Sequence, residues 1–313
     1  MLRPEPKPLE GDIRIPGDFN DIVEALVTCK NGSSFFLGEG KYHWDELTTP
    51  NGTRRIGHDF KNKNDAAGGT IFIAHTLRLR GHPKAELWGH LVFVSGSSGI
   101  CKYVTLAADC RQSDAGHPSV FIYGRAWQFH ECEVRSAGGA AVALAGTGGA
   151  HMYECGIGGV ESFPTTRAQV GVWVLENSSC WLHSCAVRSN HRSGVIAAGQ
   201  AMLKAYQCSF AFNMQHLHLI QAQQVKLYRC ELHDSLDTSF KIDQDEGVLL
   251  HLYFNLIQGK LWNSNSRPAG LKEVQNKCFQ GSWREDLSVL NTHRKLLDTV
   301  MDVSARSHER SSL

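Results

Sequence analysis

The chain has 313 residues, 20% charged and 42% hydrophobic, and a formal net charge of +1. This composition argues against a disordered or membrane-spanning chain, and the charge balance provides no global field for binding nucleic acid or a bilayer. The length suits one large all-β domain, in which 30 glycines and 10 cysteines stand out.

The first segment, residues 1–17, is polar and rich in proline, and we expect it to be flexible. It lacks the apolar stretch of a secretory signal, so we expect an intracellular protein, cytoplasmic or nuclear. In that compartment the cysteines are mostly free thiols. No cysteine pair has zinc-knuckle spacing, and the sequence predicts neither a metal site nor a cofactor.

Residues 18–29 follow with the pattern of a short amphipathic helix, which we expect to cap the start of the core. One face of this helix combines Ile22, Ala25, Leu26 and Val27. Residues 46–69 have the composition of a loop excursion. Strands are predicted on either side of it, at Ser34–Leu37, Thr70–Ile73, Leu77–Leu79 and Leu91–Val94.

A repeat of about two dozen residues then governs the chain. Six cysteines with similar flanks are separated by 22, 23, 30, 23 and 22 residues: Cys110, Cys132, Cys155, Cys185, Cys208 and Cys230. Asn255 occupies the same slot one unit later. A second apolar series steps by 22, 30, 23, 22 and 23 residues: Val120, Val142, Val172, Val195, Leu217 and Phe240. One insertion near residues 159–166 explains the long step in both series.

Each unit contains short strands with alternating apolar residues and is too small to close a core alone. Stacked units bury a continuous core, with equivalent residues about 4.8 Å apart. The sequence therefore predicts a parallel β-solenoid, an all-β repeat protein. The apolar residue three positions before each cysteine requires a bend just before the cysteine, which places small buried thiols at a corner.

Two sets of outward positions are candidate binding surfaces. The first set occupies the apolar second strand of each unit and includes Phe121, Tyr123, Trp173, Leu175, Ile196 and His218. This surface is too apolar to face water uncovered, so we expect the C-terminal tail or a partner to cover it. The second set lies two residues before the cysteine slot and comprises His130, Tyr153, His183, Tyr206, Tyr228 and Tyr253. It either seals a turn by stacking or offers a platform for a sugar or peptide.

A dense acidic group near the end of the repeat is the one place where the sequence offers catalytic groups. It comprises Asp234, Asp237, Asp243 and Asp245, with Lys241 close by. A solvated rim of turns is the interpretation we favour over a catalytic one. The repeat fades beyond residue 258, so we expect the β-solenoid domain over residues 18–260. The remaining residues, 261–313, are expected to form a tail with a helix at about 284–303.

The chain resembles the right-handed parallel β-helix superfamily, whose fold is pectate-lyase-like. The resemblance covers about residues 12–260 and is carried by the helix at 18–29, the step at 35–42, the segment 77–81 and the repeats over 104–257. Glu39 replaces the usual proline of the opening step, and Asn255 stands where the superfamily often stacks asparagines. The texture is closest to the β-helix region of F-box β-helix and Shc-SH2-binding proteins. The resemblance implies a right-handed β-helix.

These patterns lead to two functional hypotheses. The first is a non-catalytic scaffold that binds a protein partner through the outer apolar and aromatic face. The alternative is a carbohydrate-binding or polysaccharide-processing protein, a lyase or glycoside hydrolase if it is an enzyme. A lyase needs outward carboxylates for calcium, and a hydrolase needs clustered carboxylates. The outward slots are mostly apolar and aromatic, which favours the non-catalytic hypothesis and leaves the enzyme alternative open. From the balanced charge and the composition we expect no nucleic-acid or membrane partner.

Overall fold

The computed structural model describes residues 6–19, 22–43, 70–109, 118–159, 168–243, 247–262 and 270–279. Within them the chain forms one short helix, α1 (Ile22–Thr28), and three long parallel sheets. Strands are numbered in chain order across the sheets. The predicted tail helix at 284–303 and the loop at 46–69 lie outside the described residues.

Sheet A contains eleven strands in the described part of the chain: β1 (Ile13–Ile15), β2 (Ser34–Leu37), β5 (Leu77–Gly81), β8 (Gly99–Lys102), β11 (Trp127–His130), β14 (Gly149–Tyr153), β17 (Ser179–His183), β20 (Met202–Tyr206), β23 (Gln224–Tyr228), β26 (Leu249–Tyr253) and β28 (Gly270–Val274). Sheet B contains ten by the same measure: β3 (Gly40–His43), β6 (Ala85–Trp88), β9 (Thr105–Asp109), β12 (Glu133–Ala137), β15 (Gly156–Gly159), β18 (Ala186–Arg188), β21 (Ser209–Ala211), β24 (Glu231–His233), β27 (Leu256–Gln258) and β29 (Lys277–Phe279). Sheet C contains eight: β4 (Thr70–Ile73), β7 (His90–Phe93), β10 (Val120–Ile122), β13 (Ala140–Leu144), β16 (Ala168–Val174), β19 (Asn190–Ala198), β22 (Gln215–Ile220) and β25 (Thr238–Asp243).

From β2 to β25 each coil adds one strand to each sheet, and each strand pairs in parallel with its equivalent in the next coil. The fold is a right-handed parallel β-helix, as the sequence predicted. The apolar anchors of the second repeat series are direct partners across sheet C: Val120 pairs with Val142, Val142 with Val172, and Val172 with Val195. The series continues through Leu217 to Phe240. All six are buried, because inward positions of stacked coils exclude water.

The bend predicted before the cysteine slot is a single residue in the left-handed conformation. It occurs in coil after coil with φ between 49° and 59°, at Tyr103, Glu131, Glu154, Ser184, Gln207, Arg229, Phe254 and Gln275. One such residue turns the chain sharply from sheet A into sheet B. This explains why the apolar residues before and after the cysteine both point inward although their spacing is odd.

The cysteines after this bend are buried as a column, and each thiol donates to the carbonyl two residues earlier, as Cys155 does to Tyr153 at 3.3 Å. One member of the predicted series is wrong. Glu133 pairs with Thr105, so Val104 and not Cys110 occupies the slot below Cys132. Cys110 follows the end of β9 and lies outside the described residues. Its 22-residue spacing coincides with the repeat because that coil carries additional residues before β10.

Asparagines end the column. Asn255 is fully buried and donates from Nδ2 to Oδ1 of Asn276 at 3.0 Å, and Asn276 donates to the carbonyl of Leu252 at 3.1 Å. Asn276 belongs to a coil that the fading repeat did not reveal. Its strands β28 and β29 extend sheets A and B beyond residue 260, the predicted end of the domain.

The opposite end of the stack is closed by α1, which places Ile22, Ala25 and Leu26 in the core. Ahead of it, β1 pairs with β2, so regular structure begins before residue 18, in the segment expected to be flexible. Among the described residues, no helix combines the length and the apolar character required to cross a membrane.

Candidate functional site

The outer face of sheet C carries the first predicted binding set. Phe121, Trp173, Ile196 and His218 stand in one column along with Ala143 and Lys241, because their strands pair in register. The next column outward comprises Tyr123, Ala145, Leu175, Ala198, Ile220 and Asp243.

This face is less open than the sequence indicated. Trp173 and Tyr123 are 36% and 37% exposed, whereas Ile196 and His218 are each only 2% exposed. Ile196 belongs to a small apolar cluster outside the main core, with Ala140 and Val170. The most exposed apolar side chains of this face are therefore Trp173 and Tyr123, and the face is not a continuous open apolar strip. A protein partner on this face stays a prediction.

The acidic residues do not converge on one point. Asp243 accepts from His218 Nε2 at 2.7 Å and lies 3.4 Å from Lys241 Nζ. Asp237 accepts from Gln215 Nε2 at 3.2 Å on the connection into sheet C. Asp234 lies at the end of β24, 2.8 Å from His233 Nδ1. Asp245 lies outside the described residues.

Burial lowers the pKa of His218. The hydrogen bond to the Asp243 carboxylate raises this pKa but does not outweigh burial. The pKa of Asp243 is also lowered, because its interactions with His218 and Lys241 outweigh burial. This group is a compact polar contact between two coils. In the described part of the chain, no three His, Cys, Asp or Glu residues are arranged to hold a metal ion.

The second predicted set forms a continuous ladder of rings along the edge of sheet A. His130 stacks on Tyr153 at 4.6 Å between ring centroids, Tyr153 on His183 at 4.8 Å, and His183 on Tyr206 at 5.1 Å. Tyr206, Tyr228 and Tyr253 continue the ladder with tilted rings 6.1 and 6.3 Å apart. Because the rings from His130 to Tyr206 are stacked, this part of the ladder presents ring edges and tyrosine hydroxyls to the outside, while Nε2 of His183 is buried. It does not provide open faces on which a sugar could stack.

A neighbouring column on the same face was not singled out in the sequence. It lies two residues before the ladder and comprises Gln128, His151, Trp181, Lys204, Lys226, His251 and Lys272. Lys204 Nζ lies 4.3 Å from the centroid of the Trp181 ring. The His151 ring, one coil before Trp181, lies 4.3 Å from the same ring between centroids. The pattern was readable, because alternation from the ladder points every second residue outward.

The outward columns of this face carry cations, whereas Glu131 and Glu154 lie at the bend that follows the ladder, where their charges oppose the lowering of the His130 pKa by burial. A third outward column lies two residues before the second in each strand. It contains Gly149, Ser179, Met202, Gln224, Leu249 and Gly270. None of these three columns contains a carboxylate between residues 128 and 253. Burial lowers the pKa of His151, and the nearby His183 and Lys204 act in the same direction. Burial likewise lowers the pKa of His251, helped by Lys226 and Lys272.

Comparison with solved structures finds several similarities at low sequence identity. The fold is similar to that of a pectin methylesterase from Aspergillus niger, with a TM-score of 0.48 and 12% identity over 88% of each chain. It is also similar to pectate lyase Pel9A, with a TM-score of 0.49 and 8% identity over 85% of this chain and 78% of that one. An alginate lyase from a Paenibacillus species gives a TM-score of 0.35 and 10% identity over 82% of this chain and 96% of that one. No protein-family model and no curated protein matches the sequence. At these identities the likeness concerns the fold alone.

Proposed function

We propose that the protein binds an acidic polysaccharide along the outer face of sheet A. The observation that carries this proposal is the composition of one outward column of that face: Lys204 and Lys226 stand one coil apart in a column without carboxylates, and Lys272 continues it. Two lysines on neighbouring coils about 4.8 Å apart, with Lys272 two coils beyond Lys226 and His251 between them, suit a polymer that carries a carboxylate on each sugar.

The ladder next to the lysines supports a sugar ligand rather than a base-stacking one. Single-stranded nucleic acid binds where ring faces are open. Here Tyr153 and His183 have stacked rings on both sides, which leaves tyrosine hydroxyls at the edge, while Nε2 of His183 is buried. The tyrosine hydroxyls hydrogen-bond to sugar hydroxyls in a repeating pattern.

Binding without cleavage is the activity that this face supports. Glycoside hydrolysis uses two carboxylates that flank the scissile bond, and calcium-assisted elimination needs carboxylates on neighbouring coils. The three outward columns of sheet A have none between residues 128 and 253. The face therefore holds a polyanion but lacks the acid and base pair for breaking it.

The test is isothermal titration calorimetry with polygalacturonate and, as a neutral comparison, dextran. We expect binding to polygalacturonate only, weakened by salt because exposed charges are screened. Two exposed ion pairs together contribute about 1–2 kcal/mol, so Lys204→Ala with Lys226→Ala should weaken binding about tenfold.

The matched control is Lys84→Ala, which removes one exposed lysine that pairs with Glu39 away from the face. It should bind like the native protein. Equal binding of dextran, or an unchanged affinity in the double variant, would contradict the proposal.

A further inference from the structure

A serine, a histidine and an aspartate form a hydrogen-bonded chain on the outer face of sheet B. Ser209 Oγ lies 3.3 Å from His233 Nε2, and His233 Nδ1 lies 2.8 Å from Asp234 Oδ2. These contacts connect two neighbouring coils, since Ser209 is on β21 and His233 on β24. Both nitrogens of the imidazole are therefore engaged, one with a hydroxyl and the other with a carboxylate.

The register of the two strands creates this contact. His233 pairs directly with Ala211, whose methyl group leaves room for the imidazole to lean towards Ser209. Asp234 is held in place at its backbone, where its N–H donates to Gln258 Oε1 at 2.9 Å. The left-handed conformation of Asp234, with φ 53°, turns its carboxylate back towards the ring that precedes it.

The order of the contacts assigns the tautomer. A carboxylate only accepts, so His233 donates from Nδ1 to Asp234 and keeps a lone pair on Nε2 for the Ser209 hydroxyl. This is the arrangement in which a serine acts as nucleophile, a histidine as general base and an aspartate as the group that orients the base. The Oγ to Nε2 distance is at the loose end of the range for such pairs without a substrate.

The surroundings leave Ser209 approachable from one side. In its column Ser209 lies between the small Ala186 of the preceding coil and Glu231 of the next, and the Glu133 carboxylate fills the space at Gly156 one coil beyond Ala186. Phe212 is 51% exposed and its ring lies edge to face with that of His233, 6.3 Å away, so it forms an apolar lip. Arg188, an exposed cation, is the partner of Ala211 on the same face. The limited space beside Ala186, with one apolar lip, suits a small acyl group rather than a long chain.

We propose that Ser209, His233 and Asp234 form a hydrolase site for esters of small acyl groups, separate from the face of sheet A. Ser209 Oγ attacks the ester carbonyl carbon while its proton passes to His233 Nε2. The C–O bond to the alcohol then breaks, and the alcohol leaves with that proton. Water, the co-substrate, attacks the acyl-serine with His233 again taking a proton. The acid is released, and Ser209 regains its hydrogen.

Asp234 is a positioning residue in this scheme, because it acts through His233. Its contact predicts a low-field proton resonance from the imidazole Nδ1–H in the native protein. The resonance should disappear in Asp234→Asn, where the charged acceptor is lost, while the fold and the Ser209 hydroxyl remain. If Asp234 had only a structural role, loss of the Nδ1–H resonance in Asp234→Asn would not be accompanied by a loss of ester hydrolysis in the folded variant.

The experiment is labelling of the full-length protein with a fluorophosphonate probe, mapped by peptide mass spectrometry, together with hydrolysis of p-nitrophenyl acetate. We expect the label on Ser209, loss of both activities in Ser209→Ala, and a fall of at least about 100-fold in His233→Ala. Ser33→Ala is the matched control, because Ser33 Oγ donates to the carbonyl of Lys30 far from this face. Circular dichroism checks that each variant is folded.

Two results would overturn the proposal. One is labelling at another serine or at none, and the other is ester hydrolysis by Ser209→Ala at the native rate. Neither depends on polysaccharide binding, so this inference and the proposed function fail independently.

Discussion

Replacing Asn255 tests whether hydrogen bonds inside the coil corner stabilise the stack. Asn255 is fully buried, and its Oδ1 accepts the backbone N–H of Cys230 at 2.8 Å. Its Nδ2 donates to the carbonyl of Leu227 at 3.2 Å and to Asn276 Oδ1 at 3.0 Å. Asn255→Ala removes all three bonds at once. At about 1 kcal/mol each, the loss is about 3 kcal/mol in the free energy of unfolding.

The assay is urea unfolding followed by circular dichroism, supported by a thermal scan. A loss of about 3 kcal/mol corresponds to a drop of about 6 °C in Tm for a chain of this size. Asn177→Ala is the control, because Asn177 is an exposed turn residue, and its unfolding free energy should change by less than about 0.5 kcal/mol. If Asn255→Ala were as stable as this control, side-chain hydrogen bonding would not be what holds the corner, and the reasoning would be refuted.

Three further predictions concern pH, packing and thiol chemistry. Burial lowers the pKa of His216 to about 3, so the unfolded chain binds its proton more tightly and stability falls as the pH drops below 6.5. Between pH 7.5 and 5 the native protein should lose about 2 kcal/mol more unfolding free energy than His216→Asn, in which the other buried histidines still titrate; an equal loss in the two proteins would contradict the prediction. A Cβ at Gly158 would collide with the backbone oxygen of Arg188, so Gly158→Ala should lower Tm by several degrees, whereas Gly149→Ala, with room for a methyl group, should not. A thiol-reactive disulfide reagent should modify exposed Cys278 in the native protein but reach the seven buried cysteines of the described residues only after unfolding.

The β-helix was predictable because residues one repeat apart in the sequence pair with each other on neighbouring coils. Val120, Val142 and Val172 pair directly, as their places in the second repeat series predicted once the single insertion is allowed for. The bend before Cys132 was also predictable, since an odd spacing between two inward residues has no other solution. It is supplied by Glu131 in the left-handed conformation. Spacing failed where a coil changes length, which is why Cys110 was assigned to a slot that Val104 fills.

The candidate sites were less accessible to sequence reasoning. Ring order along the ladder was visible, but the covering of each ring face follows from the stacking distance between coils. Because neighbouring rings stack at that distance, the ladder exposes ring edges and not the open ring faces that a sugar would need. The pairing of Ser209 with His233 depends on contact between residues 24 positions apart and on the small side chain of Ala211. No spacing rule identifies such a diagonal contact.

Burial on sheet C shows the same limit. Ile196 and His218 alternate outward and were expected to be open, yet both are almost completely buried. Alternation tells which side of a strand a residue occupies. It does not tell what packs against that side, so exposure there had to come from the structure.

Zero-length carbodiimide cross-linking of the protein to polygalacturonate, followed by peptide mass spectrometry, tests the proposed function most directly. This reaction joins a carboxylate to a lysine only where the two are in contact. The account predicts cross-links at Lys204 and Lys226, reduced by high salt and by excess free polygalacturonate. Cross-links confined to lysines off the face, such as Lys84 or Lys277, or none at all, would contradict it.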